Sequence, residues 1–500
     1  MKKTIIFKNS FVGLVTQISV MLFQFVTRRV LLQYLGIEVL GLSSTFVSIL
    51  STLSLAELGF ENAIIYSLYK PLNDNNQDRI NDIMNIYKVI YRIVALVILL
   101  LSLCCVPLIP KLITGMKITS FVYVVFGLQA TNTIASYLLA YKRALLYADQ
   151  KDYITKTVDL IINIICNCVE IYVIAKFKSY YLYLVICIIQ TIAANSIIHL
   201  FCNRFYPFLK KNKLNHQLFR EIVAYVKQII ISKIAGYVYG STDNIIISAM
   251  VNTVVVGQLV NYTTITKSVR RLIEGFLKPL NPIIGRTINE NERGDEETLF
   301  LMYSHVRYLI ACMVIIPLYL LIDDFIAMWV GQEYILPKLI SVLICAEMYI
   351  YLVHGGVVAF INGKGLFKYE KNVEIIGAAT NIIGSVGLVS VMGLPGVLLA
   401  TVIAQMFYWI GRSIVFYKFI VPQKSTRFLN YWVSNFWYLL VFILEGLVAA
   451  ALVSCIAIKN PVIEFIAKGF TCELVIAGMS FLAFIRNPSQ KRILNTIWKK

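Results

Sequence analysis

Charged residues are scarce in this sequence, and their scarcity excludes a soluble protein of this size. Only 15% of the 500 residues are charged, whereas 58% are hydrophobic. The mean hydropathy is +0.74. A soluble chain of this length needs more polar surface than such a composition provides. The composition therefore predicts a polytopic membrane protein.

The motifs of common enzymes are also absent from the sequence. It contains no P-loop, no GxSxG nucleophile elbow, no HExxH zinc motif and no dinucleotide fingerprint. The ten cysteines include no CxxC pair, so we expect neither a disulfide framework nor a metal site. The chain is therefore predicted to be a transporter rather than an enzyme, with no cofactor other than a coupling ion.

Long apolar runs occupy most of the sequence. Because a helix needs about 20 apolar residues to cross the hydrocarbon core, we predict an all-α fold with about fourteen transmembrane helices. The predicted spans are residues 9–33, 40–68, 86–113, 119–145, 153–176, 180–202, 220–245, 253–277, 299–323, 335–361, 373–393, 395–420, 432–457 and 462–485. The connections between these spans are too short to hold a soluble catalytic domain.

The basic residues predict the orientation of the chain. The net charge of +19 comes from lysines and arginines that cluster in the short segments between apolar runs. This distribution is typical of cytoplasmic loops, so we expect both termini in the cytoplasm and no nucleic-acid partner. The opening segment MKKTIIFKNS is followed by no small-residue cleavage site, which predicts that the first span is retained.

A weak internal repeat divides the predicted spans into two halves. At an offset of about 216 residues, 25–41 aligns with 241–257, and Tyr87 aligns with Tyr303. We predict two six-helix bundles, related by a parallel repeat, around a V-shaped central cleft. The predicted segments are an N-terminal bundle (1–205), a basic cytoplasmic linker (206–219), a C-terminal bundle (220–422), and two additional spans with a basic tail (423–500).

The first predicted span carries a polar stripe. At about 100° per residue, Ser10, Gln17, Gln24 and Arg28 lie near one line of the helix. A charge inside a membrane span costs about 2.5–3.5 kcal/mol on insertion scales, so spans that keep one usually turn it toward a wet cavity. We expect Arg28 to face the cleft and Arg29 to anchor the helix at the outer membrane interface.

The second half carries further cations in its predicted spans. Lys233 and Asn244 lie on the same face of the seventh predicted span. Arg307 lies near the middle of the ninth predicted span. The eighth span carries three more cations, Lys267, Arg270 and Arg271. An ion pair of Arg270 or Arg271 with Glu274 is an equal alternative for that span. Together these cations predict a cleft that binds an anionic substrate. One arginine can donate hydrogen bonds to two phosphate oxygens at once, which favours a phosphate group.

The acidic residues of the spans suggest a gate and a coupling site. Arg28 falls within one position of Asp243 in the repeat, so we predict that Arg28 and Asp243, or its neighbour Asn244, approach each other when the outer side is closed. Glu347 and Glu57 are candidates for coupling to H+ or Na+. For Glu347, neutralisation of a nearby cation such as Arg307 is an equal alternative.

Four stretches carry a resemblance to a known family. They are YLGIEVLGLSSTFVSILSTLSLAELGFENAI (34–64), ALLYADQKDYITKTVDLIINII (144–165), STDNIIISAMVNTVVVGQLVNY (241–262) and NGKGLFKYEKNVEIIGAATNIIGSVGLVSVMGLPGVLLATVIAQ (362–405). The sequence resembles the polysaccharide-transporter branch of the multidrug/oligosaccharidyl-lipid/polysaccharide (MOP) exporter superfamily. The likeness covers nearly the whole chain.

The resemblance implies a flippase in the bacterial cytoplasmic membrane. Its substrate would be an undecaprenyl-pyrophosphate-linked oligosaccharide repeat unit for capsule, exopolysaccharide or O-antigen, moved by alternating access. A glycan polymerase and glycosyltransferases of the same pathway would be its partners. The alternatives are a lipid II flippase and a multidrug cation exporter of the same superfamily. An exporter of cations would place carboxylates in the cavity, where the first span here has arginines.

Overall fold

The computed structural model describes most of the chain. The described residues are 2–54, 60–210, 215, 217–223, 242–290, 295–421 and 425–492. Within these ranges the chain forms helices and turns and no strand. The predicted all-α class is confirmed.

The helices divide between two compact units, residues 1–257 and 258–500. The first unit contains α1 (Lys2–Leu53), α2 (Phe60–Asn73), α3 (Gln77–Cys105), α4 (Ile109–Leu112), α5 (Ser120–Ala140), α6 (Arg143–Ala148), α7 (Asp152–Phe177), α8 (Tyr180–Phe205) and α9 (242–250). The next helix, α10 (Thr253–Leu277), begins in the first unit and continues into the second. The second unit also contains α11 (Asn281–Glu290), α12 (Asp295–Trp329), α13 (Lys338–Lys364), α14 (Phe367–Met392), α15 (Leu394–Phe419), α16 (Ser425–Ser454) and α17 (Pro461–Phe484).

The first helix bends sharply at Gly36. Gly36 has φ 83° and ψ 172°, a conformation outside the helical region that glycine adopts without a Cβ clash. The apolar segment Phe11–Leu53 has 43 residues, which would extend about 65 Å as a straight helix. Because a hydrocarbon core is about 30 Å thick, this segment fits two crossings joined at Gly36. The bend lies between the first two predicted spans.

Eleven helices among the described residues are long and apolar enough to cross a membrane. The first of them combines two predicted spans around Gly36. The seventh predicted span, 220–245, lies largely outside the described residues. The eighth coincides with α10, which is helical but too polar to be among the eleven. The count of fourteen therefore stays a prediction.

One predicted boundary is wrong. The second span was expected to continue to residue 68, but α1 ends at Leu53 and α2 begins at Phe60. Among the described residues, two apolar clusters lie in the first unit and one lies in the second. The cluster of the second unit includes Phe300, Phe360 and Phe416, whose rings pack against one another at 4.1–5.8 Å. The predicted division into six-helix halves stays a prediction.

A close backbone contact joins α1 to the start of α10. A Cβ added to Gly41 would lie 2.0 Å from the Thr253 carbonyl oxygen, whereas one added to Gly13 would meet nothing within 4 Å. Small residues allow helix backbones in membranes to approach in this way. Alanine at position 41 must therefore push the two backbones apart.

We expect Gly41→Ala to lower the free energy of unfolding by about 1–3 kcal/mol, the usual cost of overpacking. Gly13→Ala is the matched control on the same helix, and it should be neutral or stabilising, because alanine is the better helix former. Thermal unfolding of the two purified variants measures the difference. Equal unfolding midpoints would show that the Gly41 contact carries no packing energy.

Candidate functional site

The two neighbouring arginines of α1 have different environments. Arg28 is 8% exposed, whereas Arg29 is exposed. Gln17 and Gln24, which share the line of Arg28, are half-buried. The difference follows from the turn of about 100° between successive helical residues, which directs adjacent side chains to different faces. Arg28 lies inside the first unit, and its role in substrate binding stays a prediction.

Tyr183 of α8 lies within electrostatic range of the Arg28 guanidinium. The Tyr183 ring stacks on Tyr180 with centroids 5.4 Å apart. The preceding residue, Thr27, donates a hydrogen bond to Asn167 Oδ1 of α7 at 3.2 Å. These contacts hold this part of α1 against α7 and α8.

Both residues of the predicted gate, Arg28 of α1 and Asp243 of α9, lie among the described residues, as does Asn244 of α9. Lys233, a predicted substrate ligand, lies outside them. Asn244 Nδ2 donates a hydrogen bond to Ser48 Oγ of α1 at 3.0 Å. The α9 segment therefore contacts the same helix that carries Arg28. The Arg28–Asp243 gate itself stays a prediction.

In the second unit, Arg270 of α10 forms an ion pair with Glu347 of α13. Arg270 Nη2 lies 2.6 Å from Glu347 Oε2, and Gln405 donates to the other carboxylate oxygen at 3.3 Å. The guanidinium also lies over the Tyr351 ring, 3.9 Å from its centroid. Tyr351 in turn donates to Glu274 at 3.1 Å. Part of the predicted cationic charge on α10 is therefore balanced by Glu347.

The remaining predicted residues differ in exposure. Lys267 and Arg271 are exposed on α10. Arg307 of α12 is 4% exposed and donates to the Leu352 carbonyl at 2.6 Å and to the Tyr303 hydroxyl at 3.2 Å. Within the described ranges, no carboxylate lies within 4 Å of the Arg307 guanidinium. Glu57 lies outside the described residues, so its predicted coupling role stays untested.

An arginine that the sequence analysis did not select, Arg412 of α15, holds a second buried network. Its Nε lies 2.6 Å from Glu370 Oε1, and its Nη2 lies 3.5 Å from Glu374 Oε1. Nη1 lies 2.9 Å from His354 Nε2. The Arg412 and Glu370 side chains are only 13% and 7% exposed. This network joins α13, α14 and α15.

We expect Glu370→Gln to destabilise the chain, but by less than about 3–5 kcal/mol, the cost of a fully uncompensated buried charge, because Glu374 still lies 3.5 Å from Arg412. The matched control is Glu221→Gln, which removes the carboxylate of a pair with Arg79 that is 44% and 55% exposed. Such surface pairs contribute about 0–1 kcal/mol. Thermal unfolding should therefore separate the variants clearly. Similar midpoints for both would show that Glu370 contributes no more than a surface carboxylate.

A polar cavity of about 410 Å3 lies between α1, α5 and α8 of the first unit. On α5 the lining residues Gln129, Asn132, Thr133 and Ser136 recur at the i, i+3, i+4, i+7 spacing of one helical face. The others are Ser43, Val47, Leu50, Ser51 and Ser54 of the α1 segment, Tyr137 of α5, and Tyr180, Tyr183, Leu184 and Cys187 of α8. The wall is thus built from hydroxyls, amides and phenol rings, and it carries no charged side chain.

Two amide oxygens of this cavity are buried without a hydrogen-bond partner. They are Gln129 Oε1 and Asn132 Oδ1, and no donor among the described residues reaches them. The Gln129 amide nitrogen is engaged, because it donates to Ser43 Oγ at 3.0 Å and to the Tyr180 hydroxyl at 3.4 Å. Buried polar atoms are usually satisfied. The cavity therefore offers acceptors to a ligand that brings hydroxyl or amide donors.

A second cavity, of about 820 Å3, lies in the second unit and is mainly apolar. It is lined by aliphatic and aromatic residues of α12, α13, α15 and α16, including Trp409 and Trp432. No charged residue lines it, so it offers nothing to a phosphate. The described residues also contain no group of three His, Cys, Asp or Glu side chains that could hold a metal ion.

The sequence matches the model of the polysaccharide biosynthesis protein family over residues 6–286, which is more than half of the chain. The chain belongs to the polysaccharide biosynthesis protein family. This membership confirms the resemblance inferred from the sequence. The comparison of the chain with curated proteins found no match.

Comparison with solved structures identifies the fold of the chain. It is similar to the lipid II flippase MurJ in an inward closed conformation, with a TM-score of 0.70, 14% identity, and coverage of 96% of this chain and 99% of that one. It is also similar to an inward-facing multidrug resistance MATE family transporter of the MOP superfamily, with a TM-score of 0.59, 14% identity and coverage of 80% and 96%. A mutant of the Vibrio cholerae MATE transporter VcmN gives a TM-score of 0.55, 13% identity and coverage of 83% and 97%. The fold is that of the MOP superfamily transporters.

Proposed function

We propose that the chain is a flippase that moves undecaprenyl-pyrophosphate-linked oligosaccharide repeat units across the bacterial cytoplasmic membrane. The glycan would then enter capsule, exopolysaccharide or O-antigen assembly by a polymerase and glycosyltransferases. Membership of the polysaccharide biosynthesis protein family supports this substrate class. The observation that carries the proposal is the uncharged cavity with two unpartnered amide oxygens.

The chemistry of this cavity suits a sugar. A sugar ring presents hydroxyl donors around its edge, and Gln129 Oε1 and Asn132 Oδ1 are acceptors that lack a donor among the described residues. The rings of Tyr180 and Tyr183 offer apolar faces with polar tips. A volume of about 410 Å3 lies in the range of small-ligand sites. The absence of charge from the lining favours a neutral sugar over a cationic drug.

Arg28 is the proposed pyrophosphate ligand beside this cavity, and its electrostatic interaction with Tyr183 of the cavity lining supports that role. Arginine binds phosphate oxygens in pairs and keeps its charge when buried. Lys233, Arg307, Lys267, Arg270 and Arg271 remain proposed contributors to the cationic cleft. The Arg270 pair with Glu347 would have to open before Arg270 could bind phosphate.

Transport would follow alternating access between the two proposed halves, 1–205 and 220–422. The contacts of α1 with α9 and α10, namely Ser48–Asn244 and Gly41–Thr253, would close one side of the path. The proposed approach of Arg28 to Asp243 belongs to that closed state. When these contacts part, Arg28 would be free for phosphate. Glu347 and Glu57 remain proposed sites for a coupling ion.

Deletion of the gene distinguishes this proposal from its alternatives. We expect the deletion strain to lose its surface glycan, to remain viable and to keep its normal drug susceptibility. A lipid II flippase would be essential, so its depletion should be lethal. A multidrug exporter would instead change the susceptibility to cationic drugs. An unchanged surface glycan in the deletion strain would reject the proposed substrate.

A further inference from the structure

A small basic cavity lies in the first unit, apart from the sugar cavity, with which it shares no lining residue. Its volume is about 230 Å3, and it lies between the start of α3, the α5–α6 turn, the end of α8 and the segment that follows α8. The charged or titratable residues of its lining are Lys88, Lys142, Lys210, His199 and Tyr141, and no carboxylate lines it. Three lysines therefore line one small cavity without an acidic residue in the wall.

Lys142 is the centre of this cavity. It is 6% exposed. Its Nζ lies 3.2 Å from His199 Nε2 and donates a hydrogen bond to Asn203 Oδ1. No carboxylate of the described residues lies within 4 Å of it. Burial of an ammonium group without a counter-charge costs free energy. An anion that binds in the cavity would supply the counter-charge that the wall lacks.

Hydrogen bonds fix the wall of the cavity in place. The Lys210 backbone N–H donates to Asn81 Oδ1 at 2.9 Å, and Asn85 Nδ2 donates to the Lys210 carbonyl at 2.9 Å. These two bonds attach the segment after α8 to the first turns of α3. The backbone of Lys210 is therefore held at the wall that also contains Lys88 and Lys142. A pre-formed wall lowers the ordering cost of binding.

We propose that this cavity binds a phosphate group. A phosphate carries up to two negative charges and several acceptor oxygens, which suits the three lysines of the lining. The Lys88 and Lys142 ammonium groups lie 5.8 Å and 6.0 Å, respectively, from the Tyr141 ring centroid. The small volume admits a phosphate group and little else. The phosphate can belong to an anionic phospholipid headgroup or to a soluble phosphate or pyrophosphate, and both sources use the same three lysines.

The test uses the full-length chain, purified in detergent or reconstituted in nanodiscs. Calorimetric titration with inorganic phosphate and with pyrophosphate measures the soluble source. Native mass spectrometry from phosphatidylcholine nanodiscs, with and without phosphatidylglycerol, measures retained anionic lipid. We expect binding in at least one arm, and we expect Lys142→Gln to weaken it about tenfold or more, since charge-assisted hydrogen bonds are lost. Titratable phosphate identifies a soluble ligand, and retained phosphatidylglycerol identifies a lipid.

Two further variants keep the test decisive. Lys176→Gln changes an exposed lysine near the end of α7, and it should bind like the wild type. Lys88→Gln removes a second lysine of the cavity, and it should weaken binding even if Lys142→Gln cannot be purified. Lys142→Gln without ligand should unfold at the same temperature as the wild type or higher, because a buried charge is removed. No binding in either arm, or equal binding by wild type and both cavity variants, would overturn the proposal.

Discussion

Replacing Arg28 by alanine is expected to abolish export of the surface glycan, whereas replacing Arg29 by alanine should leave export near the wild-type level. Arg28 is buried within electrostatic range of Tyr183, which lines the cavity proposed to bind sugar, while its neighbour Arg29 is exposed. Loss of charge-assisted hydrogen bonds to pyrophosphate costs about 1.5–3 kcal/mol for each bond, so export should fall at least tenfold. The measurement is surface glycan in a complemented deletion strain, normalised to the amount of protein in the membrane.

Arg28→Lys separates charge from geometry. Lysine keeps the positive charge but cannot bind two phosphate oxygens as a planar fork, so we expect partial export from this variant. Membrane abundance and thermal unfolding of each variant show whether a loss reflects folding. Normal glycan from a well-expressed Arg28→Ala variant would reject Arg28 as a pyrophosphate ligand.

Replacing Asn132 by leucine should greatly reduce export without destabilising the chain. Leucine has a similar volume but removes the unpartnered Asn132 Oδ1 from the cavity. The loss of one hydrogen bond to a sugar costs about 1–3 kcal/mol, or roughly five- to 150-fold in binding. Stability should be unchanged or higher, because a buried unsatisfied acceptor is removed. This combination of lost export and retained stability is the expected signature of a ligand contact.

The control for Asn132→Leu is Thr131→Val on the same helix. Thr131 is exposed, and its hydroxyl donates to the Gly127 carbonyl of its own helix at 2.8 Å. Its replacement removes a polar atom of α5 outside the cavity, so export should persist. Wild-type export by Asn132→Leu, measured alongside this control, would contradict the assignment of the cavity to sugar.

Hydropathy predicts the helices of this fold well where a single apolar run is bounded by polar residues. The predicted spans 153–176, 180–202 and 395–420 correspond to α7 (Asp152–Phe177), α8 (Tyr180–Phe205) and α15 (Leu394–Phe419). The end of α1 at Leu53 was not predicted, because a window of about 19 residues averages over a helix end that is flanked by apolar residues.

The site could be predicted only where a residue is costly to bury. Arg28 stands out in the sequence because a charge in a span is expensive, and helical periodicity separates it from Arg29. Gln129 and Asn132 do not stand out in the same way, because their polar side chains carry no charge and their convergence with α1 and α8 requires tertiary packing. The partner of Arg270 also depends on packing, since Glu347 lies 77 positions away in the sequence.

The most direct test of the proposed flippase is transport of the substrate by the purified chain. Proteoliposomes would carry an undecaprenyl-pyrophosphate-linked repeat unit in the inner leaflet, and a membrane-impermeant glycosidase would report its arrival outside. Wild-type protein is predicted to deliver the glycan faster than protein-free liposomes, and Asn132→Leu and Arg28→Ala are predicted to deliver it much more slowly than the wild type. Equal rates for wild-type protein and protein-free liposomes, with the protein folded and inserted, would contradict the proposed function.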